Sequence, residues 1–515
     1  MQPSDSTAVT SRRAPKTGLQ RLRLPLELIA VVLLGVLALT VNIGERPLVD
    51  WDEATYAQVA HEALSSGRVF DLTWNGAPYV KKPPLLFWLV TASFRMLGES
   101  EAAARLPSVI AGVGTLALIY LIAVPVIGRF GALLAGLAPL GFYFFIARGG
   151  RECATDAPLI FFSTLAIYAL SRAPARRSWL FLSGLACGLA ILSKGLAGVL
   201  PLIVATAGFA FLPGFSAVGP GAVLWMVAGA TLAAGPWYLY EALFNYPAFL
   251  ANFVGYETLR RVTSHLEDDQ LGSSFPLVTF ASEVRHLWPL ILPLVALLVA
   301  GLRNGLGSSL RRVPPAIWLW MVWLAVTLAA ACAVQTRLPW YVLPALVPAA
   351  LLAAAIPACA LRNGGLRTRA GALALVALAM IAMQAPLRWR NNNRTAQRQR
   401  AMSMPSYVLA MQARDANHSG GGELFLAGTS LPTLVYYSGM HCNFVETSEL
   451  EHVELVGADY VPDAINYHDL ILLDSSGRAE VIGNLDREWH WTRDYNSLPY
   501  QPATLPAQPL QSGAD

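Results

Sequence analysis

An all-α polytopic membrane domain followed by a small α/β domain is the fold class this sequence predicts, on three observations. The chain of 515 residues is 55% hydrophobic and only 14% charged, against roughly 25% charged in an ordinary soluble protein. Its apolar residues gather in runs that approach the ~20 residues needed to cross a bilayer. After residue 388 the pattern changes to short apolar strands alternating with a helix. The mean hydropathy of +0.47 agrees. So few charges cannot cover so much apolar surface in water, which excludes a disordered chain, a nucleic-acid-binding domain and an ordinary cytosolic enzyme.

The elements follow in order. Residues 1–24 form a basic tail carrying Arg12, Arg13, Lys16, Arg21 and Arg23 against Asp5. The run Leu26 to Ile43 lacks a small-residue cleavage site after it and reads as an uncleaved first span with a cytoplasmic N-terminus. Further runs fall near 104–126, 130–147, 157–171, 179–193, 196–213, 221–240, 286–302, 316–334, 340–361 and 370–387, giving about eleven to thirteen spans. Lys194 and Gly195 interrupt the 179–213 region. Counted this way, Arg129, the cluster Arg172–Arg176–Arg177, the cluster Arg303–Arg311–Arg312 and the cluster Arg362–Arg367–Arg369 fall inside, as the positive-inside rule requires. The opposite, outer side receives the first loop 44–103, the segment Arg148–Asp156, the loop 241–285, the turn Gln335–Pro339 and everything after 388. Leu85–Leu97 is too short to span, follows Pro83–Pro84 and carries Arg95; a span there would invert the later parity, so it reads as an interfacial helix.

Residues 25–387 thus form the transmembrane domain and 388–515 a small α/β one outside the membrane. The latter opens with a polar linker (Arg388, Arg390, Asn391–Asn393, Arg394, Arg398, Arg400), then offers strands at Leu424–Ala427, Asn443–Glu446 and Leu470–Leu473 with a helix over Leu431–Ser438. The end from Pro499 is Pro- and Gln-rich and reads as loose. The five cysteines are scattered and include no C-x-x-C pair, so buried thiols are expected rather than disulfides or zinc ligands.

Three features on the outer side carry possible chemistry. Asp52 and Glu53 stand at the mouth of the first span, where carboxylates facing lipid would be costly. Asp156 opens a later span on the same side. Each aspartate can also be read as a helix N-cap. The third feature is cationic: Lys82 before the double proline, Arg260 and Arg261 after Tyr256–Glu257, and Arg337 with Tyr341 in the segment Thr336–Pro344. These suit phosphate oxygens, or else are surface charges touching lipid headgroups. A sugar on a polyprenyl phosphate has an anionic leaving group, which needs cations rather than a general acid, while the acceptor needs one base. A glycosidase would need a spaced carboxyl pair. A divalent cation could sit between Asp52, Glu53 and Asp156, although cations alone suffice for the phosphate. His61, two turns beyond Glu53, could approach the site or remain a solvated helix residue.

The ordered motifs Asp52-Glu53-x-x-Tyr56, Tyr79-x-x-Lys82-Pro83-Pro84-Leu85, Arg105-Leu106-Pro107-Ser108, Asp156, Ser193-Lys194-Gly195 and Leu338-Pro339-Trp340-Tyr341-x-Leu343-Pro344 resemble the bacterial GT-C glycosyltransferases of the aminoarabinose–lipid A transferase and protein O-mannosyltransferase-like group, over roughly residues 25–390. The resemblance implies a GT-C-like membrane fold in the bacterial inner membrane, an undecaprenyl-phosphate-linked sugar donor, and inverting transfer to a periplasmic lipid, glycan or protein acceptor. It makes Asp52 the leading base, Asp156 the second essential acid, and Lys82, Arg261 in preference to Arg260, and Tyr341 the contacts to the donor phosphate; Tyr56, Tyr79, Lys194 and Arg337 lie in the same motif set. Thr55, Lys81 and Arg337 replace the Arg, Glu and Lys usual in the aminoarabinose transferases, which bears on donor and acceptor rather than on reaction class. A transporter or flippase for a lipid-linked substrate is the alternative from another class, and it would call for broken helices in repeated halves.

Overall fold

The computed structural model describes residues 25–212, 221–265, 272, 274–287, 314–362, 404–417, 421–427, 431–445, 469–473 and 479–484. The basic tail, the runs near 286–302 and 370–387, the Arg303–Arg311–Arg312 cluster, the linker at 388–400 and the Pro-rich end lie outside the described residues.

Helix α1 (Leu26–Thr40) is apolar and leads through an irregular stretch to α2 (Asp52–Ser66), which ends at Gly67 in the left-handed conformation. A two-stranded hairpin follows, β1 (Thr73–Trp74) against β2 (Ala77–Pro78). Its tip is Asn75-Gly76, both at positive φ (53° and 76°), as a tight type I′ turn demands. The short helix α3 (Leu85–Leu97) buries Leu86, Phe87, Val90 and Phe94 and leaves Arg95 exposed.

Helix α4 (Glu101–Leu137) is capped by the Ser100 hydroxyl, which accepts from the Ala103 N–H. It breaks at Gly128, where φ is +74° and ψ 175°. The chain doubles back there, because Gly136 approaches the Leu116 carbonyl so closely that an added Cβ would lie 3.4 Å from it. A straight helix would separate those residues by about 30 Å. The expected division near residue 128 is therefore real, and glycine supplies it. The second arm is not the continuous run expected over 130–147: a 3-10 turn (Ala138–Gly141), one helical turn (Tyr143–Ile146) and a π turn (Ala147–Arg151) replace it. From there the chain bends by 97° into the helix Asp156–Arg172.

The helix Ser178–Lys194 stops at Gly195, whose φ is +55°. The 3-10 turn Gly195–Val199 folds back on that helix: the Cys187 thiol donates to the Gly198 carbonyl at 3.3 Å. Helices Leu200–Phe211, Gly221–Phe244, Pro315–Ala333 and Leu343–Arg362 complete the bundle. Among the described residues, four helices are long and apolar enough to cross a membrane, or five counting the bent pair. Outward side chains such as Leu26, Phe211, Leu224, Leu232 and Leu239 are exposed. That is the surface of a protein whose surroundings are hydrocarbon rather than water.

The C-terminal unit forms a four-stranded sheet in the order β4–β3–β5–β6. Strand β3 (Glu423–Ala427) runs parallel to β4 (Cys442–Val445), with the helix Pro432–Ser438 between them, as expected. Strand β5 (Asp469–Leu473) pairs antiparallel with β3 and with β6 (Ala479–Asn484), a strand the hydrophobic pattern did not reveal. This unit does not own its core. Leu424, Leu434, Tyr437 and Leu470 share one cluster with Leu48, Tyr56, Ala57, Phe87 and Val90 of the first loop. Asn75 reinforces the junction: its side chain accepts from the Cys442 N–H at 3.1 Å and donates to the Cys442 carbonyl at 2.8 Å. Cys153, Cys187 and Cys442 are buried free thiols.

Candidate active site

Three helix ends converge beside a cavity of about 190 Å³. Asp52 and Asp156 occupy the first turns of their helices, and Lys194 the last turn of its own. Each charge is the one its helix terminus favours. The N-cap expectation for both aspartates is corrected: Trp51 and Thr155 precede the helices without a capping side-chain bond, and the carboxylates are engaged elsewhere.

Arg148, on the π turn just before the 97° bend, ties the site together. Its guanidinium donates to Asp52 Oδ2 and to Asp156 Oδ2 (3.3 Å), lies 3.7 Å from Glu152, and stacks on Trp340 at 4.2 Å. Lys194 Nζ donates to Asp156 Oδ1 at 2.6 Å and lies 5.5 Å from the Tyr341 ring. Tyr56 donates its hydroxyl to Asp52 Oδ1 at 3.0 Å. Burial alone would raise the Asp52 carboxyl, but Arg148, with Lys82 and Lys194 behind it, holds it at about 2. Asp52 is therefore ionised throughout the physiological range, while its side chain keeps 38% of its surface open. Asp156 is almost closed off, at 3%.

A second ionic group lies across the cavity. Lys82 and Arg261 both donate to the same oxygen of Glu257, Arg261 from Nε at 2.9 Å. Arg261 also reaches Tyr341 Oη at 3.5 Å. Backbone pairing fixes this arrangement: the Gln335 and Thr336 N–H groups donate to the Val262 and Arg261 carbonyls, each at 3.1 Å. Lys81, Lys82, Asp156, Lys194, Glu257 and Arg261 line the cavity; Phe253, Leu196 and Leu200 make its remaining wall apolar.

Not every candidate residue arrives there. Glu53 points the other way and is 2% exposed. Arg105 grips it with Nε and Nη2, each at 2.8 Å, and gives its other bonds to the Ile43, Arg46 and Pro47 carbonyls. Arg260 is exposed and faces Tyr256. Arg337 is half-buried outside the cavity lining. Tyr79 is buried against Phe87, within electrostatic reach of Asp52 and Glu257. His61 pairs with Glu99 at 2.8 Å, away from the site. The residues do not fit a divalent cation shared by Asp52, Glu53 and Asp156, the placement left open by the sequence. Glu53 is turned away, the Arg148 guanidinium stands between the aspartates, and no His, Cys, Asp or Glu trio among the described residues is placed to hold a metal. Arg148 and Glu257 went unselected in the sequence. An arginine in an apolar run, and a glutamate four residues before Arg261, were the available signals.

Carboxylates and cations thus meet beside an apolar-walled cavity, at discontinuous helices of a membrane bundle. The chain has the fold of ArnT from Cupriavidus metallidurans, solved bound to undecaprenyl phosphate (TM-score 0.62, 19% identity, covering 81% of this chain and 85% of that one). It also matches the Archaeoglobus fulgidus oligosaccharyltransferase (TM-score 0.51, 15% identity, 76% and 58%). In sequence, residues 81–240 match the family model described as dolichyl-phosphate-mannose-protein mannosyltransferase. The chain is 30% identical over 362 residues to the undecaprenyl phosphate-alpha-4-amino-4-deoxy-L-arabinose arabinosyl transferase of Pseudomonas paraeruginosa, covering 65% of this chain and 62% of that protein. It is thus similar, in fold and sequence, to GT-C glycosyltransferases of the aminoarabinose-transferase and protein-mannosyltransferase type. It spans about 62% of the length of such curated relatives.

Proposed function

We propose that this protein is an inner-membrane glycosyltransferase that takes a sugar from a polyprenyl-phosphate donor, with its site on the periplasmic side, and passes it to a lipid, glycan or protein acceptor there. The observation that carries this reading is an open carboxylate, Asp52, standing within electrostatic reach of Lys82 and Lys194 beside the cavity that Lys82 and Arg261 line. The donor phosphate lies on Lys82 and Arg261, with Tyr341 supporting the arginine and Lys194 completing the cationic wall. The anomeric C–O bond breaks, its electron pair stays on the phosphate oxygen, and these cations stabilise the departing charge. The acceptor oxygen or nitrogen forms the new bond to the anomeric carbon and loses its proton to Asp52. Held near 2 by Arg148, Asp52 is a weak base, so it takes the proton late, once bond formation has made the acceptor acidic. Asp156 fixes Arg148 and Lys194 rather than the acceptor, and Glu53 braces the backbone that presents Asp52.

The test is transfer of labelled sugar from undecaprenyl-phosphate-linked donors in membranes carrying wild type, Asp52→Asn and Lys82→Ala at matched protein levels. Both variants lose transfer, and full activity in both would remove the mechanism. Mass spectrometry of envelope lipids and glycoproteins with and without the protein identifies the acceptor. The transporter alternative has one observation on its side, the 97° break before Asp156. It calls for movement of a labelled lipid-linked sugar without a glycosylated product.

A further inference from the structure

Resting on the polyprenyl-phosphate reading above, we infer that Glu257 is a built-in stand-in for the donor phosphate, which yields its place when donor binds and returns to expel the polyprenyl phosphate product. The cation pair that would hold the phosphate is already closed on this carboxylate: Lys82 Nζ and Arg261 Nε converge on Glu257 Oε2, and Arg261 Nη2 approaches Oε1 at 3.5 Å. A carboxylate and a phosphate present the same fork of oxygens to a guanidinium, so the two anions compete for one position.

The ion pairs of the site favour the exchange. Arg148, Lys82, Lys194 and Arg261 are matched by Asp52, Glu152, Asp156 and Glu257 within ion-pair distance. Lys81 also lines the cavity but is exposed; a phosphate placed between Lys82 and Arg261 displaces Glu257 from them, and that carboxylate must swing away from the apolar walls, where an unmatched charge is costly. Asp156 is held from both sides by Arg148 and Lys194, and Asp52 by Arg148 and the Tyr56 hydroxyl. Glu257 instead sits on the π-helical run Phe249–Arg260, a backbone form that is rare and recurs at functional sites. The donor is a phosphodiester with one negative charge, but the product monoester carries more. Product therefore holds the cations more tightly than donor, and a tethered carboxylate competing for them speeds its release.

The probe is farnesyl phosphate, with farnesol as the uncharged control, bound to the full-length protein in lipid nanodiscs. Wild type, Glu257→Gln, Lys82→Ala and the double variant are compared, each with its thermal melt. Glu257→Gln binds farnesyl phosphate roughly tenfold tighter, about the effect of removing one ionic competitor. Farnesol binding does not change, and the gain disappears in the double variant. During turnover the Gln variant shows stronger inhibition by product and a lower kcat. Should Glu257→Gln fold poorly, Glu257→Asp, which keeps the charge but cannot reach both cations, gives a smaller gain. A folded Glu257→Gln or Glu257→Asp that binds the phosphate no tighter than wild type overturns this inference alone, provided wild-type binding still depends on Lys82. If wild type and Lys82→Ala bind it equally, the phosphate clamp falls and this inference with it.

Discussion

Asp52 and Glu53 are adjacent in sequence and open the same helix, yet they belong to two different kinds of ionic cluster. Glu53 accepts both arms of Arg105, the Val49 and Cys153 N–H groups, and lies 3.5 Å from Arg46. Arg105 spends its guanidinium on Glu53 and three carbonyls of the preceding loop. This cluster is closed: Glu53 is 2% exposed and Arg105 fully buried, and burial, which would raise the Glu53 carboxyl, is overcome by Arg105 and Arg46. Asp52 has a cation partner too, but keeps an open face. The lesson is that charge pairing alone does not mark a catalytic group; the distinction lies in whether the pair leaves room for a third molecule.

The closed cluster gives the largest expected effect. Arg105→Leu strands Glu53 in the interior, and breaking one partner of a buried pair costs about 3–5 kcal/mol. The loop of residues 43–53 loses its anchor, so folded protein in the membrane should fall sharply, read by detergent-solubilised yield and fluorescence-detected gel filtration. A stable Arg105→Leu protein would erase the distinction drawn above. Asp52→Asn should do the reverse. It accumulates and melts close to wild type, but transfer drops on the order of 100-fold or more, the scale of a lost general base. A large fall in stability with transfer per folded molecule preserved would show that Asp52, too, is only structural.

Next in size is the contrast between neighbouring arginines. Arg261→Ala removes a cation facing the cavity and should raise the donor KM by roughly tenfold or more, since hydrogen bonds to charged groups contribute about 1.5–3 kcal/mol. Arg260→Ala removes an exposed side chain resting on Tyr256 and should change neither KM nor the melting temperature appreciably. Equal effects would mean that the two side chains exchange roles on the π-helical run. A smaller effect is expected at Asp50, whose carboxylate accepts from the Thr433 N–H at 2.9 Å and the Ser406 hydroxyl at 3.0 Å. Asp50→Ala leaves the Thr433 N–H unsatisfied at a cost of about 1–3 kcal/mol. Limited proteolysis should then release the C-terminal unit earlier than in wild type, with the membrane bundle still folded.

These contrasts mark where sequence reasoning reached and where it stopped. The membrane bundle was legible because long apolar runs have few other uses, Asp52 and Asp156 stood out because carboxylates at span mouths are expensive, and Lys82 and the Arg260–Arg261 pair because external cations run against the positive-inside trend; only the family resemblance favoured Arg261. Strand–helix–strand order around Pro432–Ser438 was legible from alternation. What was not legible depended on direction. Glu53 shares every sequence property of Asp52, and only the turn of α2 sends it to Arg105. Arg148 looked like one more interfacial arginine until the 97° bend placed it between two aspartates. Glu257 gained meaning only when Lys82, 175 residues away, was found on it.

The smallest effect separates the two clusters from an ordinary surface pair by pH. Asp52, held at about 2 in the folded protein against 3.8 ordinarily, adds stability that is present above pH 3.8 and lost only as pH falls towards 2. Neither it nor its pairing with Arg148 changes between pH 5 and 9. His61 behaves oppositely. Burial would lower its pKa, but the Glu99 carboxylate raises it above 6.5, so its contribution is complete below pH 6.5 and fades as pH rises through the raised value. The pair is only partly buried, with side chains 16% and 19% exposed, so the contribution is of the order of 0.5 kcal/mol, as for other partly screened pairs. Melting temperatures measured from pH 6 to pH 9 should decline slightly in wild type and be flatter in His61→Gln, with no matching change in Asp52→Asn. A slope that disappears in Asp52→Asn instead would place a titrating proton inside the open cluster and overturn the reading of Asp52 as permanently ionised.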